Sequence, residues 1–356
     1  NGPVAIRLHD IAARANVATS TVSRVLNGYP YVSPTTREAV WRAAQEMGID
    51  VRSRRRGTRQ SSTIILTDMC RTPDPWASKD EHTVGSEFAR QVLAGAQAAM
   101  TKCGRVTDMQ LVSGDTVAAR LCRSQRGGQP ADTNTQSSDN GEAAGYLLIG
   151  GDINYTLVQR LQDACVPFVI VGARPEGTAA DCVMADYVGG VEQAVHHLVQ
   201  AGRRRIGLVK GSPSTLTSLE KYKGFRLALC ERNLPFTSQQ AVEAESFTPE
   251  AAGQPTQELV EHVKGLDAII YGDDYLAMGG IHTIKHMGLR VPDDVAVIGF
   301  HDYRIAPFTD PSLTTVRIDG QQMGAMAAQR LYMLLDMPAS EPWIVIAPTT
   351  LIVRAS

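Results

Sequence analysis

The sequence of 356 residues has no long hydrophobic run and only six cysteines. Its longest stretches without a charged residue, 25–36 and 342–353, are twelve residues long and each contains two prolines. Neither can span a membrane, since a spanning helix needs about 20 apolar residues. The cysteines form no C-x-x-C pair, which favours reduced thiols over disulfides or a zinc site. Residues 1–11 lack an apolar core of signal-peptide length, so we expect a cytoplasmic protein without membrane contact.

Lysine is absent from the first 60 residues, which carry ten arginines against four acidic residues. This segment has a formal charge of +6, so the rest of the chain carries −8 and the overall charge of −2 averages two different regions. A basic region beside an acidic one is typical of a protein that binds nucleic acid through one part only. We expect the basic segment alone to contact double-stranded DNA.

Apolar residues at helical spacing predict three short helices in the basic segment. The first begins at Leu8 and ends at Asn16, the second covers 19–26, and the third begins after Ser33 as N-cap and ends before Gly48. Three short helices with a tight turn between the first two make a helix-turn-helix. The outward face of the second helix carries hydroxyls and Arg24, which can reach base edges in a major groove. A small helical bundle with a solvated polar face would show the same pattern.

The run from Leu8 to Met47 resembles the DNA-binding headpiece of the LacI/GalR family of transcriptional regulators. Its matches to the family pattern include Asp10, Ala12, Ala15, Val17, all of residues 21–28, Val32, Ser33, Thr36 and Arg37. This resemblance implies that Thr19, Ser20 and Arg24 read bases. It also implies phosphate contacts by six further residues: His9, Thr21, Ser23, Asn27, Ser33 and Thr36.

Residues 52–59 contain five arginines, among them Arg54, Arg55 and Arg56. Their mutual repulsion is relieved when a polyanion binds and counterions are released. In the family this stretch is a hinge helix in the minor groove, where a Leu wedges into a base step. Here Gly57 or Thr58 stands in that place, so we hypothesise that Arg in a narrowed minor groove replaces the wedge. A complex with unbent operator DNA would support this hinge mode, and a kink at the dyad would argue against it.

Beyond residue 61, short apolar runs alternate with segments of helical spacing. This alternation predicts an α/β fold with parallel sheets, and so many strands indicate two lobes. The main predicted strands are 63–67, 109–112, 146–149, 168–171, 182–184, 206–209, 268–271 and 295–299. A further short strand is predicted at 351–353.

The segments 145–152 and 267–274 are each a buried strand that ends in Gly and Asp. Ligands of open parallel sheets bind beyond the carboxyl ends of the strands, so Asp152 and Asp273 are candidate ligand residues. The architecture of a parallel sheet alone would produce the same similarity between the two segments.

The body resembles the effector domain of the same family, which is similar to periplasmic sugar-binding proteins, over 145–356. This resemblance implies a sugar-like effector between the lobes. Phe247 stands where the family has an aromatic platform for the ligand, and Lys221 stands where it has a ligand-binding Arg. Asp273 replaces a usual Asn, and His301 replaces a usual ligand-binding Asp. Lysine is a point charge rather than a planar fork, so an unusual sugar, a glycoside or a sugar acid is expected. His301 could equally be a structural imidazole.

No cofactor, metal or enzymatic activity is expected. His282 and His286 have metal-binding spacing but lack an intervening Glu and a third ligand. The glycine-rich turns form no nucleotide-binding loop, and no nucleophile stands in a recognisable context. Two other classes remain open: a solute-binding protein without a role in gene regulation, and a sugar-processing enzyme, which would need a catalytic acid/base pair.

These observations predict a sequence-specific DNA-binding regulator, a repressor, that acts as a homodimer on a pseudo-palindromic operator. No heptad repeat follows residue 353, which favours a dimer over a tetramer. The expected domains are a helix-turn-helix headpiece (1–49), an Arg-rich hinge (50–62), a first lobe (63–184, completed by 317–345) and a second lobe (185–316, completed by 346–356).

Overall fold

The computed structural model divides the chain into two compact units, residues 1–60 and 61–356. It describes residues 8–26, 33–46, 62–68, 87–103, 107–113, 145–150, 155–174, 176–177, 179–211, 215–336 and 341–356.

The first unit contains α1 (Leu8–Ala15), α2 (Thr19–Leu26) and α3 (Pro34–Glu46). Asn16 turns the chain between α1 and α2 with a φ of 52°, a left-handed conformation that Asn tolerates. The backbone N–H of Thr36 donates to the Ser33 hydroxyl at 3.2 Å, so Ser33 caps α3 as predicted. The helices share one small core, formed by Ile11, Ala12, Val22, Val25, Val40 and Ala43. The predicted helix-turn-helix is confirmed.

The second unit begins with alternating strands and helices. In chain order these are β1 (Ser62–Asp68), α4 (Glu87–Lys102), β2 (Thr107–Ser113), β3 (Gly145–Ile149), α5 (Tyr155–Asp163), β4 (Phe168–Val171) and β5 (Asp181–Ala185).

The alternation continues through the rest of the chain. The next elements are α6 (Tyr187–Gln200), β6 (Ile206–Lys210), α7 (Leu216–Glu231), β7 (Ala241–Glu243), α8 (Gly253–His262), β8 (Ala268–Tyr271), α9 (Asp274–His286) and β9 (Ala296–His301). The last are β10 (Thr314–Ile318), α10 (Gly320–Asp336), β11 (Ile344–Ala347) and β12 (Thr349–Ile352).

Within the described residues, these strands form two six-stranded sheets. The first has the order β11-β5-β4-β3-β1-β2 and is parallel throughout, and the second has the order β12-β10-β9-β8-β6-β7 with only β12 antiparallel. The eight main predicted strands are all present. The structure adds β7, β10 and β11, and β12 starts at Thr349 rather than at 351.

Each sheet with its helices forms a lobe, and the described elements pass between the two lobes three times. The described crossings follow β5, β10 and β11. Helix α10 therefore follows a strand of the second sheet but packs on α4 of the first lobe. The approach of α10 to α4 is close, since a Cβ at Gly95 would lie 1.9 Å from the carbonyl oxygen of Gln321. None of the described helices is long and apolar enough to cross a membrane.

Candidate DNA-binding helix and ligand cleft

Helix α2 buries Val22 and Val25 against its neighbours. Thr19, its first residue, is exposed, and Thr21 is half-buried. Eight residues make only about two turns, so docking on α1 and α3 is what stabilises this helix. The docked helix leaves Thr19 on an accessible surface, which a groove-reading residue requires.

The other predicted DNA contacts divide into three groups. Ser33 is exposed and Thr36 half-buried at the start of α3, where their hydroxyl oxygens lie 2.7 Å apart. His9 lies in α1, and Ser20, Ser23 and Arg24 lie in α2. Four predicted residues lie outside the described part of the chain: Asn27, Arg54, Arg55 and Arg56.

In the second lobe, three predicted ligand residues meet at the carboxyl ends of the parallel strands. Lys221 of α7 is only 3% exposed, and its Nζ donates a hydrogen bond to the carbonyl oxygen of Gly272 at 2.6 Å. The same ammonium lies 4.6 Å from the ring centre of Phe300 and 5.3 Å from that of Tyr187. Burial lowers the pKa of Lys221 to about 8, although Asp273 and Asp274 favour its charged form.

Asp273 is 5% exposed and is the N-cap of α9. Its Oδ1 accepts a hydrogen bond from the backbone N–H of Tyr275 at 2.8 Å. Burial raises the pKa of Asp273 to about 7, against the opposing effects of that hydrogen bond and of Lys221. Near neutral pH this carboxyl can therefore accept a hydrogen bond from a ligand hydroxyl or donate one to it.

His301 ends β9 beside Asp273. Its Nε2 lies 4.0 Å from the Asp273 Oδ2, and its ring stacks on Tyr303 with centroids 4.9 Å apart. Its Nδ1 is buried and has no hydrogen-bond partner among the described residues. Burial, and secondarily Lys221, holds the pKa of His301 well below its usual value, so the imidazole is neutral. We call Lys221, Asp273 and His301 the polar cluster.

Phe247 is half-buried, and its ring lies against Gly211 at the end of β6. A Cβ at Gly211 would lie 1.9 Å from the Phe247 ring, so only glycine allows this approach. Gly211 in turn neighbours Gly272, which accepts the Lys221 hydrogen bond. Phe247 thus lies at the same carboxyl end of the sheet as the polar cluster. Asp152, the remaining predicted ligand residue, lies outside the described residues.

Two residues that the sequence does not predict reach this edge from the first lobe. The Glu87 carboxylate accepts from the Tyr275 hydroxyl at 3.2 Å and from the backbone N–H of Arg304 at 3.1 Å. Phe88 meets the His301 ring edge to face, with centroids 5.8 Å apart. These contacts cross between the lobes, so the polar cluster lies where the two lobes meet. We call this place, as the candidate ligand site, the ligand cleft. The sequence offered no signal for them.

A third residue that the prediction did not single out is Asp274, which is fully buried. Its carboxylate accepts from the Thr315 hydroxyl at 2.5 Å and from the backbone N–H of Tyr303 at 2.7 Å. Burial raises the pKa of Asp274 well above its usual value. The Gly-Asp-Asp run after β8 was the available signal. Asp274 fixes the start of α9 to the chain that follows β9.

The described residues contain no group of three or more metal-ligating side chains. The rings of His282 and His286 pack 4.2 Å apart between centroids on α9.

Comparisons with known proteins match both units. Residues 7–49 match the bacterial regulatory proteins of the lacI family, and residues 195–356 match a periplasmic binding protein-like domain. The chain is 31% identical, over 94% of its length and 88% of the relative, to an uncharacterised HTH-type transcriptional regulator of Streptomyces limosus. It is 29% identical to the HTH-type transcriptional regulator CelR of Thermobifida fusca, over 98% of this chain and 97% of that protein.

Solved structures are similar over the same length. A transcriptional regulator CelR–cellobiose complex matches with a TM-score of 0.70 and 26% identity, covering 99% of this chain and 100% of that one. A lac repressor dimer bound to operator and the anti-inducer ONPF matches with a TM-score of 0.65 and 22% identity, over 99% of both chains. At that identity the second match shows the fold alone.

Proposed function

The chain belongs to the lacI family of bacterial regulatory proteins and is a DNA-binding transcriptional regulator, and we propose that it is a repressor controlled by a small sugar. The observation that carries this proposal is the match of residues 7–49, which coincides with a helix-turn-helix whose α2 keeps Thr19 exposed. The resemblance to the LacI/GalR family is thereby confirmed. Because it binds DNA, we place the protein in the cytoplasm.

Neither of the two other classes, a solute-binding protein without a role in gene regulation and a sugar-processing enzyme, gains support. The relatives are transcriptional regulators rather than transport or catalytic proteins. A solute-binding protein without a gene-regulatory role has no use for the helix-turn-helix unit, and the expectation that the chain is not an enzyme agrees with its family.

We assign Thr19, Ser20 and Arg24 to base edges and His9, Thr21, Ser23, Asn27, Ser33 and Thr36 to phosphates. The domain limits given by the sequence remain our proposal for the division into headpiece, hinge and two lobes.

Arg24→Ala is expected to relax base preference at one position of each operator half-site. An Arg that binds guanine in a bidentate manner contributes about 1–3 kcal/mol of discrimination at that base pair. The measurement is competitive binding of operators that carry each of the four bases at every position. If the variant lost affinity equally for all of them, Arg24 would be a phosphate contact instead.

The ligand cleft supports a sugar as effector. Lys221 donates, His301 offers an imidazole nitrogen, Asp273 can do either near neutral pH, and Phe247 supplies an apolar ring face. Sugars present hydroxyls and apolar C–H faces that such a set can bind. CelR, at 26% identity over nearly the whole chain, is known in complex with cellobiose, so cellobiose is the first probe.

The protein is a homodimer, in keeping with its family, and we propose that Phe308 lies in the dimer interface. Phe308 is 81% exposed, the most exposed large hydrophobic side chain of the described residues. Exposed aromatic residues are enriched at the centres of interfaces, where truncation costs about 2 kcal/mol or more.

Phe308→Glu is expected to weaken dimerisation about 10³-fold, because a loss of about 2 kcal/mol appears twice in a symmetric interface. Sedimentation velocity over a concentration series measures it. Leu227→Glu is the matched control, since it removes an exposed apolar side chain on α7. Equal sedimentation of Phe308→Glu and the unchanged protein would remove Phe308 from the interface.

The proposed function is tested by capturing genomic fragments with the purified protein. We expect a small set of fragments that share a pseudo-palindromic sequence, with neighbouring genes that indicate a sugar pathway. Capture of fragments in proportion to their abundance would contradict it.

A further inference from the structure

The chain turns after β9 through two consecutive residues with positive φ, His301 at 102° and Asp302 at 57°. Residues with a Cβ rarely adopt such angles, and a φ near 100° lies outside the left-handed helical region altogether. A strained backbone of this kind persists only where surrounding contacts hold it. Since His301 belongs to the polar cluster, whatever holds this turn also sets the position of the imidazole.

The Asp302 carboxylate makes one set of the contacts that hold the turn, beside the hydrogen bonds that Asp274 and Glu87 accept from the backbone N–H groups of Tyr303 and Arg304. Its side chain is 8% exposed, and both of its oxygens are bound by arginine. The Arg354 Nη2 donates to Oδ1 at 2.6 Å, and the Arg317 Nε donates to Oδ2 at 2.8 Å. The Arg317 Nη2 forms an ion pair with the same Oδ2 at 2.7 Å. Charge-assisted hydrogen bonds are about twice as strong as neutral ones. A buried carboxylate with two cationic partners is therefore a firm anchor.

The two arginines hold Asp302 to the two ends of β10. Arg317 is in β10, pairs with His301 in the parallel register, and stands three residues before α10 of the first lobe. Arg354 follows β12 at the other end of β10, where its backbone N–H donates to the Thr314 hydroxyl and its Nη1 to the Leu313 carbonyl oxygen. One carboxylate thus connects the turn that carries His301 to the strand that leads into a crossing between the lobes and to the end of the chain segment that pairs with that strand.

We propose that Asp302, Arg317 and Arg354 form a strut that holds His301 toward the ligand cleft and ties its position to β10, the strand that leads into the crossing to α10. Arg317 and Arg354 are positioning residues, since they act through Asp302 and not on the ligand. The assignment of His301 to the ligand cleft rests on the proposed function. The strut itself rests on the geometry of the turn.

The test follows the His301 imidazole directly and needs no ligand. Full-length protein labelled with ¹³C-histidine is titrated by NMR from pH 5.5 to 8, and His301→Gln identifies the resonance. In the unchanged protein we expect this resonance not to titrate, because the neutral ring is buried. In Arg317→Met, and more completely in Arg317→Met/Arg354→Met, the turn relaxes, the ring reaches solvent, and the resonance titrates near pH 6.5.

Arg290→Met is the matched control, because it breaks an Arg–Asp pair on the surface of the same lobe. Arg317 is 53% exposed, so the single variant is expected to fold even where the double variant is not, and circular dichroism checks this. Arg317→Lys retains a cation and is expected to keep the resonance from titrating.

An untitrated His301 resonance in folded Arg317→Met and Arg317→Met/Arg354→Met would overturn the strut. Failure of the protein to bind operator or cellobiose would instead count against the proposed function, and it would leave the NMR result as it stands. Where cellobiose binds, we expect the double variant to lose at least tenfold in cellobiose affinity while operator affinity changes less than twofold.

Discussion

Replacement of Arg54, Arg55 and Arg56 by Gln is expected to weaken binding to every DNA sequence by on the order of 10⁴-fold at 150 mM salt. A dimer then lacks six cations. Because each neutralised phosphate contributes about 0.9 to the slope of log K against log salt concentration, the slope should fall by about five. These residues lie outside the described part of the chain, and the expected loss follows from the density of arginine at 52–59.

The measurement is fluorescence anisotropy with operator and scrambled DNA between 50 and 300 mM salt. Arg290→Gln is the control, since it removes an exposed arginine from the acidic body. The loss should be the same for both DNAs, because phosphate contacts carry no sequence information. An unchanged salt slope would show that this segment does not contact DNA.

Lys221→Met is expected to abolish the response to sugar and leave operator binding within twofold of its original value. Methionine keeps the apolar stem that packs near Phe300 and Tyr187, but it cannot donate to the Gly272 oxygen or to a ligand hydroxyl. Without the cation, the pKa of Asp273 rises further above about 7, so its carboxyl is protonated at neutral pH. Loss of these polar partners should lower sugar affinity about 100-fold or more.

Isothermal titration with cellobiose and operator anisotropy together measure this effect. Lys223→Met is the matched control, because Lys223 lies on the same helix, pairs with Glu220 and is solvent-exposed. Thermal melting shows whether the variant is folded. An unaltered sugar response in folded Lys221→Met would remove Lys221 from the site.

The main strands could be predicted from the sequence because buried parallel strands are continuous apolar runs, as in Ala268–Tyr271. The short strand β7 has only three residues, and β11 leaves Ile344 and Ile346 exposed. Strands at sheet edges have a weak pattern of apolar residues, and the strands with which they pair are far away in sequence. The charge-free run 342–353 contains two strands of different sheets, a division that local pattern does not reveal.

Part of the candidate site could be predicted because it lies at the ends of buried strands that the sequence pattern reveals. Asp273 and His301 follow buried strands, so the rule for parallel sheets brings them to one edge. Glu87 and Phe88 could not be predicted, since they reach this edge only after the lobes meet, across about 200 residues of chain. The strut was also hidden, because Arg354 and Asp302 lie on different elements and no local spacing connects them.

The most direct test of the central claim is operator affinity measured with and without sugar on the same protein. We expect a captured operator to be bound at least about 10³-fold more tightly than scrambled DNA at 150 mM salt. We also expect cellobiose to shift operator affinity about 5- to 150-fold in the unchanged protein and not in Lys221→Met. Equal affinity for operator and scrambled DNA, or an equal sugar effect on both proteins, would contradict it.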